Sequence, residues 1–142
     1  MALVNAYLAF NGDCEAAFNL YRSVFGGEFR AFSRFSEMPA DPKNPLPDGW
    51  GQKVLHVALP VSQETILMGS DNNPHMGTVT FGQNISMSVG VSSKEEADKI
   101  FNGLAVGGKV TMPLADTFWN AYFGMLVDKF GITWMVNYDY PR

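Results

Sequence analysis

The sequence is poor in the residues that serve the more specialised roles. It has one cysteine, Cys14, in 142 residues, so no internal disulfide can form and a reducing cytoplasm is the natural setting. Ten residues are Lys or Arg against fourteen Asp or Glu, a net charge of -4. The cations are scattered from Arg22 to Arg142 with no basic stripe. Nothing therefore neutralises a run of phosphates, and nucleic acid is not expected as a partner. No apolar run approaches the ~20 residues of a membrane helix. The opening Met1-Ala2-Leu3-Val4-Asn5 lacks the basic segment of a signal peptide. A soluble cytoplasmic protein without membrane contact is the expectation. Histidine is also scarce, at two residues, His56 and His75.

What is present suits a globular chain. Hydrophobic residues make up 46% and charged residues 17%, and a domain of this length buries roughly 68% of its unfolded surface, enough for stability without staples. Aromatics reach 13%, with eight methionines beside them; most fill a core, and the rest could line an apolar pocket.

The punctuation of the chain suggests its elements. Leu3 to Phe10 is short, apolar and closed by Asn11-Gly12, which predicts a strand. Asp13 then stands as a helix N-cap, with Ala16, Ala17, Leu20 and Val24 at helical spacing and Gly26-Gly27 as the stop. Glu28 to Phe35 reads as a second strand. From Ser36 to Gly51 four prolines forbid a helix or a central strand, and a loop this long is commonly functional or a lid. Lys53 to Pro60 and Glu64 to Ser70 form a hairpin. The first module is thus residues 1–71, followed by a connector over 72–83.

The second module, 84–142, repeats the plan. A strand over Asn84 to Val91 leads to Ser93-Lys94-Glu95-Glu96, the pattern of a capping box. A helix follows to Gly107-Gly108, then strands at Lys109 to Pro113, Phe118 to Val127 and Ile132 to Tyr138. Asp128-Lys129-Phe130-Gly131 makes a tight hairpin between the last two. Glu15-Ala16 precedes Gly26-Gly27 at the same spacing by which Glu96-Ala97 precedes Gly107-Gly108. Helix entry and exit recur together, as an internal duplication requires.

Three blocks carry a family resemblance: Tyr7-Leu8-Ala9-Phe10-Asn11-Gly12-Asp13-Cys14-Glu15, Val24-Phe25-Gly26-Gly27-Glu28, and Asp128-Lys129-Phe130-Gly131-Ile132-Thr133-Trp134-Met135-Val136-Asn137. With Gly107 to Leu114 and Thr117-Phe118-Trp119, they resemble the signature blocks of PhnB-like proteins in the glyoxalase/bleomycin-resistance superfamily, some described as demethylubiquinone methyltransferase-like. The resemblance implies an α+β vicinal-oxygen-chelate fold. Two βαβββ modules would form a curved mixed sheet with a cup on its concave side and helices on the convex side. It also implies a homodimer. Superfamily members range from metal-dependent isomerases, lyases and dioxygenases to metal-free drug-sequestering proteins, so the fold leaves the activity open. A methyl-donor site would need a Gly-rich turn between strand and helix, whereas both Gly-Gly pairs here follow helices.

Strand alternation suggests which side chains line that cup. Asn84, Ser86 and Ser88 alternate with Ile85, Met87 and Val89; Thr133, Met135 and Asn137 alternate with Ile132, Trp134 and Val136. The apolar set of each should pack on the helices. His56 alternates with Leu55 and Val57 and looks into the cup, and the family alignment puts Ala6, Leu8 and Phe10 there too. The resemblance carries the superfamily's metal positions onto Ala6, Met68, Asn84 and Met135. A methyl, two thioethers and an amide do not hold a divalent ion, so no metal or other cofactor is expected. The remaining candidates are His56 as general base or donor to a ligand, Glu37 from the proline-rich loop as its helper, and Phe118, Trp119, Asn84, Ser86, Met135 and Asn137 as ligand contacts. A lone divalent ion on His56 and Glu37 is the metal alternative. His75 reads as a solvated loop residue, Asp71 and Asp116 as turn caps, and Cys14 as a small buried residue. Two functions follow. One is a metal-free protein binding a small organic molecule; the other is a lyase or isomerase acting on an oxygenated substrate through His56.

Overall fold

The computed structural model describes residues 2–142. The chain divides into two units, one ending at Thr80 and one from Phe81 to Arg142. The first comprises β1 (Tyr7–Phe10), α1 (Cys14–Phe25), β2 (Ala31–Arg34), β3 (Val54–Pro60) and β4 (Ile66–Asp71). The second comprises β5 (Met87–Gly90), α2 (Lys94–Ala105), β6 (Lys109–Asp116), β7 (Ala121–Val127) and β8 (Thr133–Asp139). The sheets run β1-β4-β3-β2 and β5-β8-β7-β6. In each the first strand lies parallel to the last and the others pair antiparallel. The same connectivity twice, in two four-stranded mixed sheets each with its helix, is the expected βαβββ duplication.

Each helix backs its sheet through an aromatic ring set over a glycine. Phe18 of α1 packs edge-on against Phe10 and Tyr21, all three fully buried. A Cβ at Gly69 would lie 2.7 Å from the Phe18 ring. In the second unit a Cβ at Gly124 would meet the Phe101 ring of α2 at 2.8 Å. Leu104, Leu126, Trp134 and Val136 fill the core around it. Burying a large apolar side chain contributes about 1.5–3 kcal/mol, so these small clusters hold each helix to its sheet.

The helix starts are capped differently. Ser93 Oγ accepts the Glu96 N–H, while the Glu96 carboxylate takes the Ser92 N–H, one residue outside the expected box. The Asp13 side chain, expected to cap α1, makes no capping bond. Asp71 does that work from the far end of β4. Its Oδ1 accepts the N–H groups of Gly12 (2.8 Å) and Cys14 (3.0 Å), and its Oδ2 accepts that of Val54 (3.0 Å). A buried carboxylate there meets the positive end of the helix dipole and satisfies donors the helix leaves open. Asp128 plays a comparable part in the second unit, taking Phe130 and Ile132 N–H groups and the Trp134 indole N–H. Asp116, at the end of β6, accepts the Tyr140 hydroxyl.

Several expected boundaries move. The first strand starts at Tyr7, and Leu3 and Val4 before it are exposed. β5 starts at Met87, so Asn84, Ile85 and Ser86 precede it, and Ile85 is 77% exposed rather than packed on α2. β6 runs through Pro113 to Asp116. It lies at the sheet edge, where a missing N–H costs no ladder bond. The next strand starts at Ala121, and Phe118-Trp119 occupy the turn between, where Asn120 takes φ 66°.

The proline-rich segment is tied at several points. The Arg34 guanidinium grips both Glu15 carboxylate oxygens at 2.9 Å and donates to the Gln52 carbonyl. That bond to Arg34 lowers the Glu15 pKa. Trp50 stands edge-on to Phe35. His75 is exposed in the connector, as the sequence predicts, and its Nε2 donates to the Pro45 carbonyl at 2.7 Å, joining the short turn Pro74–Met76 to the middle of the segment.

Candidate functional site

Cross-strand pairing decides which side chains share a face. Val57 sits opposite Gly69 and Leu59 opposite Leu67, on the α1 side of the first sheet. Alternation turns His56 to the other face, away from the helix, as the sequence predicts. Ser33 is its partner on β2, and Ala58 and Met68 are paired beside it.

The β1 expectation is off by one residue. Phe10 is buried against Phe18 on the helix side, and Tyr7, not Ala6 or Leu8, accompanies His56. The Tyr7 hydroxyl lies 3.2 Å from His56 Nδ1, and the two rings lie 5.8 Å apart at 27°. Tyr7 is 51% exposed, so the pair is open to a ligand. Sequence reasoning missed Tyr7 because in an apolar run of four strand residues a phenol reads as well inward as outward.

Glu37 does not join this pair. It lies in the short turn Phe35–Glu37, and its carboxylate accepts the Arg34 backbone N–H at 2.6 Å. The hydrogen bond of His56 goes to Tyr7 instead. The local turn wins because it satisfies the carboxylate within three residues of chain.

The second sheet groups some of the expected ligand contacts. Met135 pairs with Met125 and Asn137 with Phe123, on the face turned from α2. Trp119 rests edge-on against Phe123 at 5.9 Å, which brings Trp119, Met135 and Asn137 to one face. The Asn137 amide donates to Asp139. Phe118 is 97% exposed and touches the Trp119 ring. Asn84 is exposed and Ser86 half-buried, both ahead of β5.

Among the described residues no group of three or more His, Cys, Asp or Glu is placed to hold a metal ion. The superfamily's ligand positions fare no better, since Ala6, Met68, Asn84 and Met135 bring a methyl, two thioethers and an amide. Replacing Ala6 with Tyr7, which the structure puts on the His56 face, adds only a phenol. Taken residue by residue within each unit, these side chains are poor donors for a divalent ion.

A family model described as 3-demethylubiquinone-9 3-methyltransferase matches residues 3–137. The chain belongs to that family. It is PhnB-like, and its duplicated βαβββ topology is that of the glyoxalase superfamily. The PhnB-like chain is 31% identical to Protein YjdN of Escherichia coli K12 over 140 residues, 94% of this chain and 93% of that one. Among solved structures it is similar to protein PA1353 from Pseudomonas aeruginosa, at 40% identity and a TM-score of 0.86, with 98% of both chains covered. It is also similar to a PhnB protein from Bacillus cereus described as a putative 3-demethylubiquinone-9 3-methyltransferase. There the identity is 28% and the TM-score 0.76, over 95% of this chain and 98% of that one.

Cys14 is fully buried at the start of α1, and burial with the nearby Asp71 carboxylate pushes its thiol far above the ordinary range. The N-terminal dipole of α1 is spent on Asp71, so it does not activate the thiol. At neutral to mildly alkaline pH, iodoacetamide should label native Cys14 at least about a hundredfold more slowly than the urea-unfolded chain. Mass spectrometry of timed aliquots checks this, and comparable rates would mean that the first turn of α1 opens readily. Among the described residues no helix is long and apolar enough to cross a membrane.

Proposed function

We propose that this PhnB-like protein binds a small organic molecule without the superfamily's metal, with His56 and Tyr7 as its polar contacts. The observation that carries the reading is the exposed Tyr7–His56 pair, beside Ala58 and Met68 on a sheet face whose residues offer no metal-ligating set. An apolar floor with a few polar groups is the usual make-up of a small-molecule site. Trp119, Met135 and Asn137 supply a second apolar and polar surface of the same kind.

Neither Gly-Gly pair makes the Gly-rich strand-to-helix turn that the methyltransferase of the family description would use. Gly26 and Gly107 take positive φ at the ends of helices, and neither opens a helix after a strand as a donor-binding turn does. A homodimer accompanies the binding reading, supported by Val110 and Met112, which stay exposed on the edge strand β6. A second reading, a lyase or isomerase with His56 as base, draws on the same pair. If Nδ1–H donates to the Tyr7 oxygen, Nε2 is left free to take a substrate proton.

Native mass spectrometry of protein purified rapidly from lysate, with elemental analysis, tests the proposal. The expected spectrum shows a dimer carrying an organic mass that is lost in His56→Ala. A stoichiometric transition metal would overturn the metal-free reading. An organic adduct that His56→Ala retains would move the site away from this face.

A further inference from the structure

The Tyr7–His56 pair, taken with the other side chains on its face, says more about the ligand. The strand positions sharing that face carry no Asp, Glu, Lys or Arg: β2 brings Ser33, β4 brings Met68 and Ser70, and β1 brings Tyr7. Tyr7 is the one other titratable group at these positions, and the carboxylate of β4, Asp71, is turned to the opposite face at the start of α1. His56 is then the group through which this face can acquire a positive one.

The 3.2 Å contact has two forms. With neutral imidazole carrying its proton on Nε2, the Tyr7 O–H donates to Nδ1 and the phenol proton is engaged. With imidazolium, Nδ1–H donates to the Tyr7 oxygen, and the phenol proton is free to turn outward. Protonating His56 therefore adds a positive charge and also releases a second donor, because Tyr7 switches from donor to acceptor within the pair. A ligand with an anionic oxygen pair gains from both changes, since hydrogen bonds between ionised partners are the stronger ones. A neutral carbonyl gains little.

We propose that the site takes an organic carboxylate, and that binding draws one proton from solvent onto His56 and turns the Tyr7 hydroxyl onto the carboxylate. This rests on the metal-free binding reading above and names the chemistry of its ligand. The overall change is neutral imidazole plus carboxylate plus a solvent proton giving an imidazolium–carboxylate pair. Met68, half-buried beside His56 on this face, offers the apolar contact for the body of the ligand.

Isothermal titration calorimetry of the full chain with benzoate and with benzamide, at about pH 8, tests it. Running each titration in HEPES and in Tris, whose ionisation heats differ, counts the protons taken up. Benzoate should bind with uptake of a large fraction of one proton. Benzamide should bind at least about tenfold more weakly, with no uptake. His56→Gln should abolish proton uptake. Tyr7→Phe, which keeps the ring, should retain uptake while weakening benzoate by about five- to tenfold. Benzoate binding without proton uptake overturns the inference, as does equal affinity for benzamide. In both cases an organic adduct in the native mass spectrum would still uphold the binding reading. Failure of both probes at millimolar concentration also overturns it; the binding reading falls only if the native protein carries no organic mass.

Discussion

Asp71→Ala should cost the fold about 3–5 kcal/mol and lower the melting temperature by on the order of 10 °C. The side chain is 3% exposed and accepts three backbone N–H groups from three places: the turn at Gly12, the start of α1 at Cys14, and the start of β3 at Val54. Alanine leaves all three donors without their acceptor, and an unsatisfied buried donor costs roughly 1–3 kcal/mol. It also removes the charge facing the N-terminal end of the α1 dipole. Asp71→Asn separates these effects. One amide oxygen can still serve Gly12 and Cys14, but the NH₂ then confronts the Val54 N–H, so about half of the loss should remain. Urea denaturation of the three proteins measures the series. An Asp71→Ala loss below about 1 kcal/mol would mean that water replaces the carboxylate and that Asp71 is not the joint between helix and sheet.

Gly69→Ala should destabilise the protein by about 2–4 kcal/mol, large for one added methyl. The new Cβ would lie 2.7 Å from both the Leu8 carbonyl oxygen and Phe18 Cε1. The oxygen belongs to β1, which is registered against β4 at this position, and Phe18 is fully buried, so neither side can withdraw cheaply. Gly90→Ala is the matched control, a strand glycine with no atom near its would-be Cβ and no positive φ. It should change stability by less than about 0.5 kcal/mol. Thermal unfolding followed by circular dichroism distinguishes the two. Equal effects would show that glycine's strand propensity, and not the ring against β4, sets the cost.

Different signals made different parts of the molecule legible. Both helices were readable because their apolar residues recur at helical period and glycines stop them, and the observed spans Cys14–Phe25 and Lys94–Ala105 follow those signals. The face of His56 was readable because Val57 and Leu59, the apolar residues one and three positions after it, are both fully buried on the helix side of β3. β1 has four residues, all with substantial apolar surface, so period alone could not say which of Tyr7 and Leu8 faces the helix. The turn at Phe118-Trp119 was misread as strand because aromatics favour strands by composition. Its outcome depends on Asn120 adopting positive φ and on Thr117 bonding to Ala121.

The candidate site divides in the same way. His56 stands out by its chemistry, and complementary charge points to Glu37 as its partner. Tyr7 takes that place, from a strand two positions away across the sheet. Nothing in the linear order links residues 7 and 56.

By itself the sequence determined the duplicated βαβββ plan, the two helices, the inward and outward sets of the longer strands and the PhnB-like kinship, since all of these follow from local period, turn chemistry and motif. The tertiary structure alone decided that Asp71 caps α1, that Gly69 must lack a side chain and that Tyr7 meets His56. Each of those depends on which strands become neighbours, and strand pairing joins residues whose separation along the chain carries no local signal.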